Sequence, residues 1–250
     1  MANIFSGKFD TRQKRAIGEI RSAFEKTCEE YQIVEKGDRF AVGISGGKDS
    51  LTLLHLLAFK RLVLKTDFSL TAVYVHVQNA AYSLDFDKVQ RFCDDLETPL
   101  VVKNIVLEDL RNADNRCFIC SRVRRKTLFD FTREEGFNKL ALGHNMDDAV
   151  ETLMMNMVYH GEFCSIPPKM AFFDGRLDVV RPLIKISKDQ TRLYADLYGF
   201  PKIKSECGFE TVTARGRFRQ FADYLEKMNP GARVNIFNSM SNINSDYLVK

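Results

Sequence analysis

Apolar positions along the chain change their period repeatedly, and the changes mark out elements. Residues 10–34 carry Ile17, Ile20, Phe24 and Tyr31 at helical spacing among many charges, which predicts an amphipathic helix. A continuous apolar run at 40–44 predicts a buried strand, and Leu51, Leu54, Leu57, Ala58 and Leu62 mark a helix after it. The β-branched and aromatic stretch 71–77 reads as a second strand. Residues 85–97 read as a helix stopped by Pro99, and 100–106 as a third strand. A basic helix is predicted over 117–135, ended by Gly136, then a strand over 138–142 and a Met-rich helix over 147–159. Ile166-Pro167-Pro168 reads as loop, 177–180 as a strand, and 188–198 as a helix closed by Gly199 and Pro201, before a basic helical tail. Strands alternating with helices predict an α/β fold with a doubly wound parallel sheet. The expected organisation is an N-terminal helical segment over 1–36, a nucleotide-binding domain over 37–200 and a helical tail over 201–250.

Composition narrows the class. The chain has 250 residues, 45% of them hydrophobic, enough for a full core. Lys and Arg number 37 against 33 Asp and Glu, a formal +4. The positive charge is clustered at 12–21, 122–126 and 215–219. Solvated helix faces explain such clusters, and so does a polyanionic substrate. The N-terminal residues lack the apolar core of a secretory signal, and no apolar run approaches a membrane span. Six cysteines in such a chain are expected to be cytoplasmic thiols, suited to metal or catalytic use rather than to a disulfide framework. Cys28, Cys93 and Cys164 read as ordinary thiols, and the methionines at 154–157 as core.

The densest chemistry follows the first strand, in Gly43-Ile44-Ser45-Gly46-Gly47-Lys48-Asp49-Ser50. Glycines let backbone N–H groups approach an anion, a helix N-terminus follows, and Lys48 adds an ammonium. Ser45 and Ser50 supply hydroxyls. Asp49 suits the helix N-cap or an outer ligand of a phosphate-bridging Mg²⁺. This is not a Walker A loop, which needs four residues between the first Gly and Gly-Lys, and Ser or Thr after Lys. Only three residues separate Gly43 from Gly47-Lys48, and Asp49 follows.

Two further motifs stand out. Cys117-Phe118-Ile119-Cys120 opens the basic helix, where two thiolates can reach one metal, and Cys207 before Gly208 is a third candidate. Three cysteines leave either a ligand from elsewhere or an open coordination position; structural zinc, a redox disulfide and unbound thiols remain alternatives. Gly143-His144-Asn145-Met146-Asp147-Asp148 follows a predicted strand and so lies at the same sheet edge as the glycine loop. Its carboxylates suit Mg²⁺ or orientation of an attacking group, and equally suit a helix start capped by Asn145.

Taken in order, SGGKDS, Cys117-Phe-Ile-Cys120-Ser-Arg-Val-Arg-Arg, Leu142-Gly-His-Asn-Met-Asp-Asp-Ala-Val-Glu-Thr152, Pro167-Pro168-Lys169, Arg181-Pro182-Leu183 and Cys207-Gly208 resemble the bacterial tRNA 2-thiocytidine synthetases of the PP-loop ATP pyrophosphatase superfamily. The likeness runs from about residue 10 into the tail. It implies ATP bound by Ser45, Gly46, Gly47, Lys48, Asp49 and Ser50 with Gly143 and His144, and catalytic roles for Asp49, Asp147, Asp148 and Arg124. It further implies a 4Fe–4S cluster on Cys117, Cys120 and Cys207 with one open iron, Mg²⁺, a tRNA partner, a sulfur donor such as a cysteine desulfurase, and a homodimer as one assembly. The implied reaction adenylates the C2 oxygen of an anticodon-loop cytidine and replaces it with sulfur. The chain departs from the family at Lys204, where relatives carry a further cysteine, and over 209–213. Other readings of the same motifs are a PP-loop sulfurtransferase for another base or a small molecule, and a zinc-containing RNA-binding protein with a vestigial loop. The 2-thiouridine branch carries N-terminal CxxC pairs, and none precedes residue 117.

Overall fold

A computed structural model describes residues 4–64, 67–78, 85–107, 116–201 and 214–248, with the side chains of Leu64, Arg116 and Cys117 excepted. Among these residues, the order is α1 (Thr11–Glu30), β1 (Arg39–Ile44), α2 (Lys48–Leu64), β2 (Ser69–Val77), α3 (Phe86–Asp95), β3 (Leu100–Ile105) and α4 (Arg116–Glu134). Then come β4 (Lys139–Ala141), α5 (Met146–His160), β5 (Lys169–Phe172), β6 (Leu177–Val180), α6 (Lys188–Leu197), α7 (Ala214–Met228) and α8 (Ala232–Ser239).

Six strands form one sheet in the order β3-β2-β1-β4-β6-β5. All neighbours are parallel except β5, which runs antiparallel to β6. The chain winds outward from β1 through β2 to β3, then returns to place β4 on the other side of β1. The α/β class with a doubly wound sheet is therefore as the periodicity predicts. Strand β5 has no counterpart in the sequence pattern: it is a four-residue edge strand with no buried residue, so it lacks an apolar run to read.

Alternation along β1 distributes its side chains to two cores. Phe40, Val42 and Ile44 join the larger core, where Leu51, Leu54 and Leu57 of α2, Ile20 and Phe24 of α1, and Tyr194 of α6 meet. Ala41 faces the opposite layer with Val73, Leu140 and Phe131 of α4. Helix α2 is apolar almost all round because it lies between the sheet and other helices. The tail forms two helices, broken at Asn229-Pro230-Gly231, where Gly231 has φ +93°. They pack Phe218, Leu225, Ile236 and Phe237 onto Val150 and Met154 of α5, which builds a third core.

Candidate nucleotide-binding site

The winding reverses between β1 and β4, and the loops leaving these two strands diverge there. Such a crevice at the carboxyl edge is where open α/β sheets bind ligands. The two loops are 45–47, leading into α2, and 142–145, leading into α5. The two motifs singled out from the sequence are thus brought together.

The first loop is closed by its own hydroxyls. Gly46 takes φ +81°, a backbone state glycine adopts without strain. Ser50 Oγ donates to the Gly47 carbonyl at 2.9 Å and accepts from the Ser45 N–H at 3.1 Å and the Ser45 hydroxyl at 3.2 Å. The Gly47 N–H donates to Ser45 Oγ at 3.2 Å. Helix α2 begins at Lys48, and the Leu51 N–H returns to the Gly47 carbonyl at 3.2 Å. Asp49 therefore occupies the first helical turn rather than the N-cap. Its Oδ1 accepts from Lys48 Nζ at 2.7 Å, and both groups reach Thr191 of α6.

Gly143 brings the second loop against the first. A Cβ here would stand 3.0 Å from the Ser50 nitrogen and 3.1 Å from Ser50 Cα. Beyond it, Asn145 caps α5: its side chain accepts from the Asp148 N–H, and the Asp148 carboxylate accepts from the Asn145 N–H, both at 3.1 Å. Asp148 is thus the returning half of a capping box. Asp147 faces elsewhere, with Oδ2 accepting from the Lys188 N–H at 2.7 Å and Oδ1 lying 3.1 Å from Arg233 Nε of α8.

His144 lies between these parts with a buried Nδ1 that has no hydrogen-bond partner. Burial lowers its pKa to about 4, with Arg181, Arg215 and Arg125 acting in the same direction against Asp148. Arg181, at the end of β6, donates from Nη1 to the Pro167 carbonyl at 2.6 Å, while its buried Nε lacks a partner. Burial, then Arg125, brings the Arg181 pKa down to about 10. A guanidinium and an imidazole with unused buried nitrogens, next to a glycine-lined helix start, suit an anionic ligand with acceptor atoms.

Other predicted residues belong to α4 or lie outside the described residues. Arg124 and Cys120 are half-buried on α4. Cys207, Lys204 and 209–213 lie outside the described residues, as does the Cys117 side chain. Among the described residues there is no group of three or more metal-ligating side chains. Nor is any described helix long and apolar enough to cross a membrane.

For several residues here the sequence carries no sign of their partners, Glu151 included although it stands in the motif that ends at Thr152. Glu151, almost fully buried, accepts from Arg219 Nε at 3.1 Å and lies 3.8 Å from Arg215 Nε and 4.0 Å from Lys188 Nζ. Burial raises its pKa against Lys188 and Arg219. Thr191 and Lys188 have one clue: α6 begins just past the carboxyl end of a strand, where site residues gather.

A glycine loop with Lys and Asp, beside a GHxxDD loop at the switch point of a doubly wound sheet, defines a nucleotide-binding α/β protein of the PP-loop type. Residues 18–221 match the PP-loop domain family. A tRNA-cytidine(32) 2-sulfurtransferase of Syntrophotalea carbinolica is 32% identical over 243 residues, 95% of this chain and 93% of its own length. The enzyme so named from Geobacter sulfurreducens is 31% identical, covering 92% of this chain and 91% of its own. The chain belongs to the tRNA 2-thiocytidine synthetase family of PP-loop proteins. Its fold is also that of the U34-tRNA thiolase NcsA from Methanococcus maripaludis, solved with its 4Fe–4S cluster. That structure has a TM-score of 0.73 at 24% identity, covering 92% of this chain and 79% of that one.

Proposed function

We propose that the protein is an ATP-dependent sulfurtransferase that converts a tRNA cytidine to 2-thiocytidine. The observation that carries this reading is the pairing of the two motif loops across the β1–β4 crevice, in a chain matched over its length by relatives named for that reaction.

The cytidine O2 attacks the α-phosphorus of ATP, and pyrophosphate leaves. Sulfur then adds at C2, and AMP departs with the original oxygen. Lys48 and the N-terminus of α2 neutralise charge on the pyrophosphate. Asp49 is the carboxylate assigned to Mg²⁺, a metal that needs only one or two protein carboxylates when phosphates and water complete its shell. Arg181 and His144 supply unused buried nitrogens to the adenylate. Arg124 is assigned to the base. Asp148 holds the second loop through its capping box, while Asp147 ties α5 to α6 and α8.

Cys117, Cys120 and Cys207 are the assigned ligands of a 4Fe–4S cluster. With three thiolates, it would offer an iron open to sulfur. The sulfur comes from a donor such as a cysteine desulfurase, and the setting is cytoplasmic.

Anaerobically reconstituted protein should convert unmodified tRNA, ATP and sulfide to tRNA whose nucleoside digest contains 2-thiocytidine. Absence of that nucleoside with the cluster intact would refute the reading, and 2-thiouridine in its place would reassign the base.

A further inference from the structure

Thr191 is fully buried and lies on the first turn of α6, far in sequence from either motif. Its Oγ1 is 2.9 Å from Lys48 Nζ, 2.5 Å from Asp49 Oδ1 and 3.0 Å from the Lys188 carbonyl. A hydroxyl has one proton to donate and two lone pairs. The ammonium is only a donor, so it gives a proton to Oγ1. The threonine proton then goes to the Asp49 carboxylate, which is charged and nearer than the Lys188 carbonyl. The direct Lys48–Asp49 contact at 2.7 Å closes a triangle.

The triangle leaves binding capacity on both charged groups. Two of the three ammonium donors are engaged, and both contacts to the carboxylate fall on Oδ1. The Lys48 and Asp49 side chains are 25% and 26% exposed. Lys48 also borders a cavity of about 240 Å³ that Gly46, Arg192 and Asp196 help line.

We propose that Thr191 is a positioning residue for the nucleotide. It holds the ammonium and carboxylate of the glycine loop in one preset arrangement across the α2–α6 contact. A free lysine side chain loses rotamer entropy when it is fixed. Fixing it beforehand removes that cost from binding. This inference rests on the glycine loop being the ATP site.

Thr191→Val keeps the shape and removes the hydroxyl; Thr191→Ser keeps the hydroxyl. Affinity for Mg–ATP is measured calorimetrically on the full-length protein without tRNA, alongside the unfolding midpoint. The valine variant should bind ATP roughly tenfold more weakly. The serine variant should bind like the wild type. Thr27→Val, which removes another fully buried hydroxyl bonded only within α1, should also leave the affinity unchanged. If the valine variant does not fold, Thr191→Ala carries the same expectation. In turnover with tRNA, the loss should appear in KM for ATP rather than in kcat.

Wild-type affinity in the valine or alanine variant overturns the inference and leaves the ATP site standing. So does equal weakening by valine and serine. No ATP binding by the wild type overturns both.

Discussion

A Cβ added to Gly143 would meet backbone, namely the Ser50 nitrogen at 3.0 Å and the Asp49 carbonyl carbon at 3.1 Å. Unlike a flexible side chain, these atoms cannot rotate aside. Gly143 is not in the left-handed region, so the close approach of two loops is what requires glycine here. Gly143→Ala should therefore push the second loop off the start of α2, costing about 1–3 kcal/mol and weakening ATP binding. Gly18→Ala, with nothing near its Cβ and exposed on α1, should instead stabilise by about 0.5–1 kcal/mol. Urea denaturation of both variants checks the contrast; equal effects would mean that the loops are not in contact. The sequence marks Gly143 as part of a motif. It does not reveal that the reason is the backbone of Asp49 and Ser50, because that contact depends on β4 lying beside β1.

Helix α5 shows the same division between local and long-range information. Its start could be read from Asn145 and Asp148 because a capping box is made within four residues. The partners of Asp147 and Glu151 could not, since they come from α6, α7 and α8. The tail reads as a basic helix; its break in two depends on Gly231, whose N–H donates to Glu226 at 2.7 Å. Arg233 anchors the second piece. Its side chain is 17% exposed and sits against Asp147, Asp223 and Glu226. Arg233→Ala should leave the Asp147 carboxylate short of a partner and loosen α8 from α5, at a cost on the order of 2 kcal/mol. Hydrogen exchange should speed up in α8 while β1 and β4 stay protected. Unchanged exchange in α8 would show that its apolar contacts hold it alone.

The response of the fold to acid depends on histidines held neutral. His55 of α2 is fully buried, with Phe5, Tyr198 and Phe200 rings around it at 4.7, 4.6 and 5.1 Å. Its Nδ1 lies 3.0 Å from the Tyr194 hydroxyl. Burial drops its pKa from the ordinary 6.5 to about 3, and that of His144 to about 4. Below pH 6.5 the unfolded chain takes up protons at these positions that the folded chain refuses, so stability falls as pH falls. For His55 the fall continues until the pH reaches about 3, where the folded form also protonates. That one group should remove about 2 kcal/mol between pH 7 and pH 5, with His144 acting in the same direction. Carboxylates with lowered pKa, such as Asp178 beside Lys139, add their own loss only at lower pH. Between pH 7 and pH 5 the histidines therefore set the fall, opposed by Glu151, whose pKa burial raises. Urea denaturation across it should give a falling unfolding free energy. His55→Phe, which keeps an aromatic ring among the others, should flatten the slope even if its stability at pH 7 is lower. A slope that stays as steep in that variant would mean that His55 is not the group resisting protonation.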